Sequence, residues 1–444
     1  MFPNAQDALP LARRPNLERY KKLAKDLVKA CKSADPNAIG DWAEAWVKTL
    51  VKRSGLRLGR NEPDAIRRWT EQVEEFAQHK LSNKCRLADA QFVIAASHGF
   101  RSWNRFTKHL AELSQKSSLV AQFETVADAI CNGNLKTLKR LLREAPQLIH
   151  SRSTREHKAT LLHYVSANGV EGYRQKTPKN IVEIAKLLLN AGADVNAEAD
   201  VYGGGATTLG LVATSVHPFR AGVQNPLMQV LLDHGADIDH ENSAGNRHNA
   251  VVGCLANGRG EAATFLADRG ARLDLEGAAG VGRLDVVKEF FNANGSLKGK
   301  TTRKQLQSAF QHACAWGRLN VVEFLLDKGV DLNGHHGDGQ TPMHCAAIGG
   351  QLETIKFLLK QNVSLEQKNI YGGTVLGQTL WSAAHGGDSK VYAAIIRVLI
   401  EAGARVPEGH VPVNKPIDDL LRGYGSVPEP TWYWFGEKPS RTRK

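Results

Sequence analysis

The chain has 444 residues, and its 42% hydrophobic and 23% charged content excludes wholesale disorder. Its formal net charge is +13, unevenly spread: residues 1–118 hold 22 Lys and Arg against 13 Asp and Glu. Other classes are excluded by pattern: no run reaches the roughly 18 apolar residues of a membrane span, and the start, Met1-Phe-Pro-Asn-Ala-Gln-Asp7, lacks a basic-then-apolar secretion pattern.

The first 118 residues do not repeat. Pro15-Asn-Leu-Glu-Arg-Tyr-Lys-Lys-Leu-Ala-Lys-Asp-Leu27 opens a helix with Leu17, Tyr20, Leu23, Ala24 and Leu27 on one face. Residues 42–51 and 63–76 predict two more. Residues 87–98 predict a helix closed by Gly99, and another begins near Ser102. A small bundle of four or five helices is the expected fold. Its cations include Arg13, Arg14, Lys22, Lys48, Lys52, Arg53, Arg57 and Arg60. Lys21, Lys25, Lys29 and Lys32 fall on one face of the first helix. Such a stripe either tracks the phosphates of a nucleic acid or is a solvated surface kept soluble by charge. Glu18, Asp26, Asp35, Asp41 and Glu44 partly break the field.

From residue 124 onward the sequence repeats. One unit begins Asp338-Gly-Gln-Thr-Pro-Met-His344 and continues Cys345-Ala-Ala-Ile-Gly-Gly350. Asp338-Gly339 is a turn, Thr341 caps a short helix, and Pro342 sits where a first-turn residue needs no donor. Gly349-Gly350 breaks that helix, and 352–359 form a second with an apolar stripe. The glycines at 282, 317 and 350 are spaced by 35 and 33 residues. Gly192-Ala-Asp-Val-Asn196, Gly235-Ala-Asp-Ile-Asp239, Gly270-Ala-Arg-Leu-Asp274 and Gly329-Val-Asp-Leu-Asn333 mark second-helix endings. This pattern resembles the ankyrin repeat, whose period is about 33.

The N-terminal segment is similar to a helical module that precedes the repeats in bacterial ankyrin proteins. The similarity rests on Leu11-Ala-Arg-Arg-Pro-Asn-Leu-Glu18, Lys25-Asp-Leu-Val28 and 88–95 through His98-Gly-Phe-Arg-Ser-Trp103. The resemblance implies an all-α ankyrin-repeat solenoid, helix pairs with β-turn tips, after a small helical bundle. The expected domains are a basic bundle at 1–118, about eight repeat units at 121–406, and a Pro-rich aromatic cap or tail at 407–444. That tail contains a helical candidate at 417–421, the run Trp432-Tyr-Trp-Phe435 and the basic end Arg441-Thr-Arg-Lys444.

The six Cys (31, 85, 131, 254, 314, 345) form no close pair in sequence. That excludes a zinc finger, a CxxC redox pair and a dense disulfide scaffold, and fits a reducing cytosol. No phosphate-binding, zinc-protease or nucleophile-elbow motif occurs, and the adjacent His335-His336 is poorly spaced for a metal. Neither cofactor nor metal is indicated, and no catalytic residue can be named. Six residues before the interhelix glycines stand His163, Val252, Gln311, His344 and Trp381. The His side chains there are read as hydrogen-bonding between neighbouring turns.

Candidate partner-binding residues come from three features. Tyr202 and Tyr371 each precede flexible glycines at a turn tip, where a tyrosine offers rigid contact area. Two enlarged links, 170–180 and 216–226, carry Tyr173, Arg174, His217, Phe219 and Arg220, and solenoid insertions often map to the binding face. Trp316 and Trp381 either anchor a partner or fill the space between repeats. The functional expectation is a cytoplasmic scaffold that binds a protein on the concave ankyrin face. Nucleic-acid binding through the basic N-terminal helices, and an enzyme or small-molecule pocket in the groove, are the alternatives.

Overall fold

The computed structural model describes residues 4–56, 58, 62–81, 85–242, 249–335 and 337–428. The run Trp432-Tyr-Trp-Phe435, the basic end Arg441-Thr-Arg-Lys444, His336, Arg57 and Arg60 lie outside the described residues. The chain divides into two compact units, Met1–Ala250 and Val251–Lys444, and both are overwhelmingly helical.

The first unit opens with α1 (Leu17–Cys31), α2 (Ala38–Ser54), α3 (Glu62–Leu81), α4 (Leu87–Ser97) and α5 (Trp103–Leu113). The Asn16 side chain starts α1 by accepting from the backbone of Glu18 and Arg19, and Ser102 starts α5 by accepting from Arg105. Each cap satisfies donors that the first helical turn leaves unpaired. Gly99, at φ +84°, ends α4 in a left-handed conformation. Leu27, Val47, Val73, Ala77, Val93, Ile94 and Phe106 share one core. Cys31 and Cys85 are joined by a disulfide with Cα atoms 5.9 Å apart. Their separation of 54 residues hides a neighbourhood that the packing of α1 on α4 creates.

Three helix pairs follow in this unit. They are α6 (Leu119–Cys131) with α7 (Leu135–Glu144), the 3-10 helix Leu161–Ser166 with α8 (Ile181–Asn190), and α9 (Thr208–Thr214) followed by short α10 (Val216–Arg220) and α11 (Gln224–Asp233). The second unit stacks five pairs among the described residues. These are α12 (Ala250–Ala256) with α13 (Gly260–Ala267), α14 (Leu275–Val281) with α15 (Leu284–Glu289), α16 (Arg303–Ala315) with α17 (Leu319–Leu326), α18 (Pro342–Ile348) with α19 (Leu352–Leu359), and α20 (Val375–Ala384) with α21 (Ser389–Glu401). Finally α22 (Lys415–Gly423) lays buried Ile417 and Leu421 onto α21. One core runs through this unit from Leu275 to Leu421. A paired hairpin at every tip is not seen. Strands β1 (Glu198–Ala199) and β2 (Ala206–Thr207) pair antiparallel for two residues each, and β3 (Gly409–His410) pairs parallel with β4 (Val427–Pro428).

A repeated side-chain bridge ties successive inner helices. His344 Nδ1 accepts the backbone N–H of Thr341 at 3.3 Å, and its Nε2 lies 3.2 Å from the Gly373 carbonyl of the next turn. Accepting at Nδ1 leaves Nε2 as the donor. His163 makes the same link to Ala206 at 3.2 Å, and Gln311 reaches the Gln340 carbonyl at 2.7 Å. Glutamine reproduces only the donor half of the histidine's role. Removing His344 leaves the buried Thr341 N–H unpaired, worth about 1–3 kcal/mol, and takes one of two donors from the Gly373 carbonyl, which keeps the Asn369 N–H at 3.0 Å. His344→Ala is therefore expected to lower the thermal midpoint, while His344→Gln recovers part of the loss. Equal midpoints for the two variants in calorimetry would refute this.

Candidate functional site

Among the described residues of the second unit, the two most exposed large apolar side chains sit on one tip. Asn369 builds that tip: its Oδ1 accepts from the N–H groups of Tyr371 (3.0 Å) and Gly373 (2.9 Å), and its Nδ2 donates to Gln378 on α20 (3.2 Å). The turn thus holds Ile370 and Tyr371 outward, 64% and 75% exposed. Along α20, Val375, Leu376, Thr379, Leu380, Ser382 and Ala383 are buried. Gln378, Trp381 and His385 fall on the opposite face at helical spacing. Trp381 is 46% exposed, and its ring stacks on His385 with centroids 4.2 Å apart.

Counting back from the interhelix glycine aligns Trp381 with His344, but the structure shifts it. Thr374 caps α20 as Thr341 caps α18, which places Trp381 at the position of Ile348, itself exposed. Helix α20 is longer than α18, so its glycine break comes later and the count slips. Trp316 behaves differently. It is only partly exposed, and its ring covers Gly260 so closely that no Cβ could fit between them. It fills the space between repeats, and Gly260 is the residue that makes the room.

In the first unit, Tyr202 adopts φ +53° and is followed by three glycines at φ +96°, +95° and +74°. The tip folds back, and the Tyr202 hydroxyl lies 2.6 Å from Asn168 Oδ1 and 3.2 Å from Gln6 Oε1. A cavity of about 230 Å³ beside it is lined by Gln6, Arg101, Glu156, Asp200 and Tyr202 among others. His217, Phe219 and Arg220 lie on α10, with Phe219 exposed. The other enlarged link turns inward. Gly172 approaches the Gln6 carbonyl so closely that a Cβ would come within 2.5 Å of its oxygen. Tyr173 and Arg174 enter a buried cluster of charges.

That cluster joins Glu124 and Asp128 of α6, Arg155 and His157 of the preceding turn, and Glu171 and Arg174 of the link. Arg155 Nη1 lies 2.5 Å from Glu124 and 3.0 Å from Glu171. Arg174 reaches Glu124 and Asp128 at 2.8 Å and Glu171 at 3.3 Å. Arg155 also sits over the Phe100 ring, and Arg174 over Tyr164 and Tyr173. Burial alone would raise the Glu124 carboxyl, but the two guanidiniums outweigh it and hold it at about 2. Glu171 is likewise held well below the usual carboxylate range. Both carboxylates stay ionised, so this cluster fixes its protons rather than exchanging them. Among the described residues no group of three His, Cys, Asp or Glu is gathered to hold a metal ion, and no helix is long and apolar enough to cross a membrane.

Comparison with known families agrees with this geometry. Residues 275–369 match the family of ankyrin repeats in three copies, and residues 157–200 match a single ankyrin repeat. Over residues 157–200 and 275–369 the chain is similar to ankyrin repeats. No curated protein matches it. Among the stacked helix pairs, Tyr371 stands at a tip, Trp381 on the exposed face of α20 and Trp316 against Gly260. Lys21, Lys25 and Lys29 on α1 and Lys32 at its C-terminal cap are all exposed, and Lys21 pairs with Glu18 at 2.8 Å. The charge cluster escaped sequence reading because Glu124 lies 31 residues from Arg155 and 50 from Arg174. The one local signal was an inserted Tyr173-Arg174 in an otherwise regular ankyrin repeat.

Proposed function

We propose that the ankyrin repeats bind a protein partner, with the tip at 369–373 and the exposed face of α20 as the contact surface in the second unit. Ankyrin repeats generally mediate protein–protein interaction, and the observation that carries this reading here is the outward placement of Tyr371 and Trp381 on a tip and helix held rigid by Asn369 and Gln378. Aromatic anchors held in place lose little entropy on binding and dominate interface energies. Tyr202, His217, Phe219 and Arg220 extend the reading to the tip and link of the first unit.

The test isolates a partner with the full chain from native lysate, then measures its affinity for single variants by calorimetry. Trp381→Ala and Tyr371→Ala are expected to weaken binding by about 30-fold, some 2 kcal/mol each, with unchanged thermal midpoints. Trp316→Ala is expected to do the reverse, because it opens a cavity against Gly260 and leaves the surface intact. Affinity indifferent to both Tyr371 and Trp381 would remove the proposal.

A further inference from the structure

A second surface lies on the N-terminal helices, away from the repeats. Helices α1 and α2 leave between them a groove of about 470 Å³. Its floor is apolar: Tyr20 and Leu23 from α1, and Trp42, Ala45, Trp46 and Leu50 from α2. Trp42 is pinned by its indole N–H donating to the Leu23 carbonyl at 3.2 Å, and its ring packs on Trp46 with centroids 5.2 Å apart. One end is closed where the backbone of Arg13 donates to the carbonyl of Arg53 at 3.0 Å.

The rim is cationic. Arg14, Arg19, Lys22 and Arg53 line the groove and are exposed, against a single carboxylate, Asp26. None of the four is ion-paired to a described residue. Some exposed cations elsewhere in the bundle are paired, as Lys21 is with Glu18 and Lys48 with Glu44 at 2.6 Å, but what marks the rim is four unpaired cations gathered around one apolar floor. An apolar floor under unpaired cations is complementary to a segment that is apolar on one face and acidic on its flanks.

We propose that the α1–α2 groove docks an acidic amphipathic helix of a partner protein. Its apolar side chains enter over Trp42 and Trp46, and its carboxylates pair with Arg14, Arg19, Lys22 and Arg53. A nucleic acid fits less well. Trp42 and Trp46 are only 9% and 6% exposed, too little ring face for a base to stack on, whereas side-chain methyls need only an apolar floor. The Lys21, Lys25, Lys29 and Lys32 stripe is centred roughly 130° around α1 from the groove, with Lys22 bordering both.

The test uses the full chain and a synthetic peptide of about 16 residues, with Leu at helical spacing and Glu elsewhere. Calorimetry at about 50 mM salt compares it with a Lys-for-Glu version, a scrambled acidic peptide, and single- and double-stranded oligonucleotides. The expected result is binding of the acidic amphipathic peptide about tenfold or more tighter than of either control peptide. The combined Arg14→Glu, Arg19→Glu, Lys22→Glu variant should lose about tenfold or more. Ala45→Arg, an exposed position on the floor, should block the groove without touching the rim. Lys21→Glu, Lys25→Glu, Lys29→Glu should change binding by less than about threefold. All replaced residues are exposed, and circular dichroism verifies the fold. The proposal is overturned by absence of peptide binding, by equal loss in the stripe variant, or by oligonucleotides binding the groove in the peptide's place. None of these outcomes bears on the Tyr371 and Trp381 surface.

Discussion

Replacing Arg155 by Met is expected to destabilise the first unit by about 3–5 kcal/mol, the range for breaking a buried ion pair from one side. Arg155 bridges Glu124 at 2.5 Å and Glu171 at 3.0 Å and is itself 1% exposed. Methionine fills a similar volume but leaves Glu171 buried with Arg174 as its remaining guanidinium partner, at 3.3 Å. The same residue holds the repeats to the N-terminal helices through Phe100, and beside it Glu156 accepts from Arg101 and Arg105 at 2.9 and 3.0 Å. Loss should therefore show as faster amide exchange in α4, α5 and α6 together. For a unit of this size the midpoint should fall by roughly 10 °C. Adding Glu171→Gln to Arg155→Met should recover part of that, because no uncompensated carboxylate remains. Arg67→Ala, which removes exposed pairs with Asp64 and Glu71, should cost less than about 1 kcal/mol. A midpoint for Arg155→Met within about 2 °C of the parent would show the cluster to be energetically idle.

Acid is expected to unfold the same region, and the sign follows from two kinds of group. Burial pulls His98 down to about 3, and His109 and His163 down to about 4. These rings stay neutral in the folded chain while the unfolded chain takes up protons below about pH 6.5. Their contribution is complete above that pH and lost as pH falls toward the folded values. Glu124, held at about 2, adds stability above about pH 4.3 that is lost as pH falls further. Both effects therefore push the same way, each tenfold difference in proton affinity between folded and unfolded chain being worth about 1.4 kcal/mol. Urea midpoints measured from pH 7.5 down to 4 should decline steadily, with the first steps before any carboxylate titrates. His98→Gln should flatten the decline between about pH 6.5 and 4. A midpoint constant from pH 7 to 5 would show that these rings are charged in the folded chain.

The enlarged link at 170–180 changes meaning once packed. Sequence reading places Tyr173 and Arg174 on an outward insertion, since insertions in solenoids tend to reach solvent. The structure folds this one inward because Gly172 can approach the Gln6 carbonyl and Arg174 meets three carboxylates at once. It works as a clasp between the first repeats and the N-terminal helices. The link at 216–226 instead forms α10, on which Phe219 stays exposed.

What the sequence determined by itself is everything that short range decides. Asn16, Ser102, Thr302 and Thr341 start helices because their side chains accept from the next turn. Gly282, Gly317 and Gly350 end them because φ there is positive. The ankyrin frame is a periodic arrangement of such local signals, so it is legible along the chain alone. Tertiary structure alone decided which side chains face solvent. Trp316 and Trp381 follow similar local patterns, yet one is packed on Gly260 and the other stacks on His385 in the open. Cys31 meets Cys85, and Arg155 meets Glu124 and Glu171, across separations that no periodicity encodes. The α1–α2 groove likewise exists only when two helices are side by side, because a cation's freedom from partners depends on what the fold brings near it.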